Sequence, residues 1–180
     1  MSSLPVWPWS VVLPPVVKPK VFVSFHHGND QFYFDLFTGT FGDGYEVFYD
    51  RSLDGHVRSD DTEYVNRVIR EEYIVGSSVT IVLCGRETWK RKYVDWEIYS
   101  TLYHEHALLG IELPTIEKTY EGKVIVPARL HANIASGYAH WTAWPNSADA
   151  LRLAIDTARL SSRSSIQIDN RMPKMQRNLP

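Results

Sequence analysis

Glu97 is the acid whose neighbours give it a use. It lies four residues after Tyr93 and directly after Trp96, inside the stretch KRKYVDWEIY at 90–99. Side chains four apart share one helix face, so a helix here sets a single carboxylate beside an aromatic ring. That pairing suits a flat cationic or heteroaromatic ligand; an exposed helix glutamate is the plainer reading. The other candidates are thinner. His26 and His27 follow an apolar run and either touch a substrate or are structural. His104 and His106 are two apart, so on a helix they point to different sides, and no third metal ligand is evident. Cys84 is the single cysteine, which leaves no internal disulfide and no thiolate cluster. Its place at the end of an apolar strand favours an inert core thiol over a nucleophile. Lys90, Arg91 and Lys92 form either a solvated face or a phosphate contact at the mouth of a site. No G-x-x-x-x-G-K-[ST] stretch is present, and Gly39, Gly42 and Gly44 lack the spacing of a dinucleotide fingerprint.

These residues need elements to position them. The run 77–84, SSVTIVLC, is apolar on both faces, as a buried parallel strand requires. The link 85–89 turns the chain, and a helix is expected from about Lys90, with Val94, Ile98 and Leu102 as its packing stripe. Glu97 then falls one or two turns into the helix, at the C-terminal edge of the strands, where open α/β sheets bind ligands. A first strand is expected over 20–25, a loop over 26–30, a short aromatic helix over 31–37 and a second strand over 45–49. After a polar loop at 50–59, Asp60 and Glu63 form a capping box, and Val65, Val68, Ile69 and Tyr73 give the next helix its buried face. A fourth strand follows at 107–113 with a hinge at Gly110. Then come a short apolar return to the sheet at 124–126, an irregular stretch at 127–136, a last strand at 138–144 and a closing helix at 147–160. Trp141 and Trp144 read as core or interface residues. Alternating strands and helices make the class α/β, with a central, mostly parallel sheet covered on both faces. A receiver-type phosphorylation domain shares this order. It needs acids where this chain has His26, His27, Cys84 and Gly85.

At 180 residues the chain suits one domain with tails. Residues 1–19 are a Pro/Trp-rich arm, broken by Pro8, Pro14 and Pro15, which argues against a signal peptide or a membrane span. Trp7 and Trp9 are expected to dock on this subunit or a neighbour. Residues 20–161 form the domain, and 162–180 read as a polar, flexible tail. Nineteen basic against twenty-one acidic residues leave a net charge of -2, so no bulk field calls for nucleic acid or an anionic membrane.

The segments VFVSFH at 21–26, DRSL at 50–53, IREEYI at 69–74, GSSVTIVL at 76–83 and KRKYVDWEI at 90–98 carry a resemblance. Together, over about residues 20–110, they resemble the TIR-like family once treated as a domain of unknown function. That family includes the TIR subunit of the bacterial Thoeris antiphage system. The resemblance implies a TIR-like, flavodoxin-like three-layer sandwich and a cytoplasmic protein. It also implies cleavage of the nicotinamide–ribose bond of NAD, often with cyclisation to a signalling nucleotide that activates an effector protein. NAD is then a substrate, and no cofactor is implied. In enzymatic TIR domains the glutamate of this helix is catalytic and an aromatic four positions earlier lines the pocket. Glu97 and Tyr93 stand there in this chain, although tryptophan is commoner at the second position. The implied substrate-binding set is Tyr93, Phe25, His26, Asp50 and Ser52, with homo-oligomerisation expected because such sites are often completed by a neighbour. The competing expectation is a non-catalytic TIR-like scaffold that binds a nucleotide or oligomerises. Scaffolding members commonly lack the acid.

Overall fold

The computed structural model describes residues 18–49 and 72–180. The arm with Trp7 and Trp9, the loop with Asp50 and Ser52, and the capping box at Asp60 lie outside the described residues. Five strands form one sheet: β1 (Lys20–Ser24), β2 (Glu46–Phe48), β3 (Val79–Cys84), β4 (Ala107–Glu112) and β5 (His140–Ala143). Their order is β2-β1-β3-β4-β5, and every neighbouring pair is parallel. This is the flavodoxin-like order, in which the strand sequence reverses between β1 and β3 and a crevice opens at their C-terminal ends.

Alternation along the strands explains the layers. Val21 and Val23 of β1, with Ile81 and Leu83 of β3, face α1 (His27–Phe41) and α4 (Ala148–Ser161) in one core. Val82 and Cys84 face the opposite way, toward α2 (Lys92–Tyr103) and α3 (Ala128–Ala135). Val94, Ile98 and Leu102 are all buried there, the stripe expected from their four-residue spacing. Trp141 and Trp144 pack against these two cores.

Several expected boundaries move. Helix α1 begins at His27, so the expected 26–30 loop is its first turn, and it continues through Gly39 to Phe41. Phe34, Phe37 and Phe41 bury on the sheet and offset the poor helix propensity of that glycine. In the helical segment at 72–76, Tyr73 is exposed and Ile74 takes the buried position. Strand β4 runs unbroken through Gly110. The glycine is required because the Trp141 ring lies over it: a Cβ there would sit 2.6 Å from Trp141 Cε3. The 124–126 segment does not join the sheet; Val124 makes one isolated antiparallel bridge to Lys118. The stretch expected to be irregular holds α3. Its inward side carries Arg129, Leu130 and Asn133, and two polar residues out of three disguise the apolar periodicity.

Residues 162–180 depart most from expectation. They do not hang free but run as a strap against α2 and α3. Arg129 donates to the carbonyls of Met172 and Pro173, Trp96 Nε1 donates to Met175 O, and the backbone N–H of Met175 donates to Asp95. The end of the strap is held by Leu179 N–H on Lys90 O.

Candidate functional site

The crevice between β1 and β3 gathers Phe25, His26, His27, Tyr93 and Glu97 of the residues singled out above, but not His104 or His106. Ser24, the last residue of β1, points to the α2 side of the sheet. Its hydroxyl donates to Glu97 Oε2 at 2.5 Å across 73 residues of chain, a length typical of a hydroxyl on a carboxylate. Glu97 is buried at 5% exposure, one turn beyond Tyr93. The next layer is also polar: the Thr101 hydroxyl donates to the Glu97 carbonyl at 2.8 Å and accepts from the Thr80 hydroxyl on β3 at 2.7 Å. A polar seam therefore runs between α2 and the sheet where apolar packing would be the default, and it fixes the rotation of the helix that carries Glu97.

In front of this seam lies a cavity of about 190 Å³, lined by Phe25, His26, His27, Arg91, Tyr93, Val94 and Asn178. Tyr93, Phe25 and His26, expected to bind substrate, therefore share one wall. Glu97 is not part of the lining; it stands behind it, on Ser24. The Phe25 ring is already engaged, stacked with His27 at 4.1 Å and with Phe34 at 4.5 Å. The Tyr93 ring meets Trp96 edge-on at 5.7 Å. Lys92 lies over both rings.

His26 caps α1, and burial, then the Arg91 guanidinium, lower its pKa, which keeps the imidazole neutral at pH 7. Its Nδ1 and the Nε of Arg91 are buried without a hydrogen-bond partner among the described residues. Both belong to residues on the cavity wall, and an oxygen-rich ligand would satisfy them. Lys90 and Arg91 are paired with Glu87 at 3.3 and 3.0 Å, so the basic stretch is partly neutralised before any phosphate arrives.

Deeper at the same crevice, Asp30 is fully buried. Burial raises its pKa to about 6 against the opposing hydrogen bond from Thr88, 3.0 Å from Oδ2. Thr88 in turn accepts from Gly85 N–H. A side chain at 85 would overlap the Asp30 carboxylate, which explains a glycine after β3. Cys84 is fully buried and its thiol pKa is strongly raised by that burial, as an inert core thiol requires. His104 and His106 follow the end of α2 with ring centroids 5.8 Å apart. Among the described residues no group of three His, Cys, Asp or Glu side chains could hold a metal.

With this geometry in place the comparisons have a meaning. Residues 22–118, more than half of the chain, match the family described as Thoeris protein ThsB, TIR-like domain. The chain belongs to that family. The match runs from within β1 through β4 and stops before α3 and the strap, so this TIR-like protein places Arg129 and Asn178 outside the family segment. A solved structure, that of the TIR domains of the activated Roq1 resistosome directly recognizing the pathogen effector XopQ, is similar at 18% identity with a TM-score of 0.38. It aligns over 53% of this chain, which spans 57% of that one. No curated protein matches. No helix among the described residues is long and apolar enough to cross a membrane.

Sequence reasoning missed Ser24 as the partner of Glu97, and it missed Asp30, Asn178 and the Arg129–Asp95 pair. Gly85 was the one available signal for Asp30, since a glycine at a strand end marks a close approach. For Asn178, in a polar tail, there was none.

Proposed function

We propose that this TIR-like domain cleaves the nicotinamide–ribose bond of NAD, with Glu97 as the catalytic acid residue in its ionised form. The observation that carries the reading is the Ser24–Glu97 hydrogen bond, which holds a buried carboxylate one turn from Tyr93 at the β1/β3 crevice. The bond between ribose C1′ and the pyridinium nitrogen breaks, and nicotinamide leaves with the electron pair as a neutral molecule. No general acid is needed. The oxocarbenium-like ribose that remains is stabilised by the carboxylate, as in glycoside hydrolysis. Water then attacks and loses its proton to give ADP-ribose, or a nucleophile of the same molecule attacks to give a cyclic nucleotide. We favour the cyclic product, a signal to an effector in antiphage defence, made by a cytoplasmic homo-oligomer.

A cavity of about 190 Å³ holds one ring and its sugar, not a dinucleotide, since drug-sized ligands take pockets of roughly 300–1,000 Å³. We assign it to one end of NAD, with Tyr93 against the ring and the Nδ1 of neutral His26 toward a ribose hydroxyl. Asp50 and Ser52 remain proposed substrate contacts from the family resemblance.

A second reading has its own observation. Glu97 is nearly inaccessible and absent from the cavity lining, as suits a scaffold whose glutamate braces α2. Purified protein incubated with NAD under activating conditions separates the two. Nicotinamide release that falls about a hundredfold or more in Glu97→Gln, the scale of removing a preorganised electrostatic group, supports the enzyme. Parent-like release from a Glu97→Gln protein that melts normally places the acid elsewhere. Release absent from both proteins across candidate triggers, with Glu97→Gln melting lower, supports the brace.

A further inference from the structure

The cavity has one wall from outside the family segment. Asn178, third from the end of the sequence, lines it beside Arg91 and His26. Its position is set from two sides. Its Oδ1 accepts from the backbone N–H of Lys92 at 3.0 Å, and the next residue, Leu179, donates its N–H to Lys90 O at 2.9 Å. With the carbonyl oxygen engaged, what the carboxamide has left for a ligand is its pair of N–H donors. Next to it Arg91 brings a buried Nε donor that has no partner among the described residues. Donors on Asn178 and Arg91, two neighbouring residues of one cavity wall, call for anionic or hydroxylic oxygen.

The strap is anchored well away from Asn178. Arg129, 1% exposed, pairs with Asp95 through Nε–Oδ1 at 2.9 Å and NH2–Oδ2 at 3.3 Å, then donates to Asn170 Oδ1, Met172 O and Pro173 O. Tyr99 stacks under both Arg129 and Lys174. A side chain that could close a core alone is thus spent on three groups of the tail. The outlay makes sense if the tail has to be placed accurately.

We propose that residues 174–180 form a wall of the nucleotide site, where Asn178 donates to a diphosphate oxygen of the bound nucleotide beside Arg91. Arg129 is the peg that holds this wall in register. The proposal rests on the NAD reading above and adds to it a substrate-contacting residue from beyond the TIR-like segment.

The test is calorimetric binding of ADP-ribose and of NAD to the full chain, to Asn178→Ala, to Asn178→Asp and to a chain ending at Pro173, with melting temperatures alongside. The wall predicts about fivefold weaker binding for Asn178→Ala. It predicts a larger loss for Asn178→Asp, because the carboxylate keeps the acceptor for Lys92 N–H yet repels the diphosphate. A merely structural Asn178 would be rescued by aspartate, and that result overturns the proposal. Unchanged affinity in all three variants also overturns it and leaves the NAD reading intact. Tighter binding or faster nicotinamide release on truncation makes the strap a cover instead of a wall and overturns it too. A parent that binds neither nucleotide removes the NAD reading and the wall together.

Discussion

Asp30 shows how far one residue's chemistry can differ from its appearance in sequence. It stands between two polar residues, Asn29 and Gln31, yet it is fully buried, and its Oδ1 has no hydrogen-bond partner among the described residues. Its pKa of about 6 lies above the ordinary aspartate value of 3.8, so the folded state binds this proton more tightly than the unfolded chain. The stability it contributes is complete below the unfolded value and is lost as pH rises through about 6. Asp30→Asn keeps the shape and removes the ionisation. The variant should be more stable than the parent at pH 7.5 by about 1–3 kcal/mol, the upper end following from about two pKa units. The gap should close toward pH 4.5 in chemical denaturation followed across that range. A gap that stays constant with pH would assign the difference to packing. Glu97 was legible because its neighbours Tyr93 and Trp96 are unusual in type. Asp30 was not, since burial is decided by Thr88 and Gly85, more than fifty residues away.

Among the elements, α3 and the strap stand or fall together. The Arg129–Asp95 pair is buried on both sides, and removing one partner of such a pair costs about 3–5 kcal/mol because the other charge is left uncompensated. Arg129→Met should therefore destabilise the domain by about that much in urea unfolding. It should also release the strap, read as faster tryptic cleavage at Arg171, Lys174 and Arg177 in native buffer. A large stability loss with unchanged cleavage would show that other bonds suffice to hold the strap. Strands β1, β3 and β4 were legible as apolar runs because both of their faces are buried. Helix α3 was hidden because its inward positions include Arg129 and Asn133, and the strap because it is fastened through its own backbone carbonyls, which any sequence possesses.

For the molecule as a whole, the sheet order decides where everything meets, and the packing across it leaves little slack. Gly110→Ala puts a methyl 2.6 Å from Trp141 Cε3 and 3.1 Å from Leu130 Cδ2, in the middle of β4. Overpacking of this kind costs about 1–3 kcal/mol; thermal melts should show the loss, and Trp141→Leu in the same chain should recover part of it. The parallel sheet was legible from the alternation of strands with helices, while the docking of the tail was not. One property of that sheet reaches beyond the folded state. Parallel neighbours cannot be joined by a hairpin, so β1 has no local partner and must find β3, whose register pairs Val21 with Val79 and Ser24 with Val82. Chains dominated by such distant pairings collapse into order slowly, on millisecond-to-second timescales. A nascent chain released only as far as β2 has Ser24 but not Glu97, and the two meet only once the third strand has been threaded beside the first. Until then the chain has neither the crevice nor the hydroxyl contact that seats its buried carboxylate.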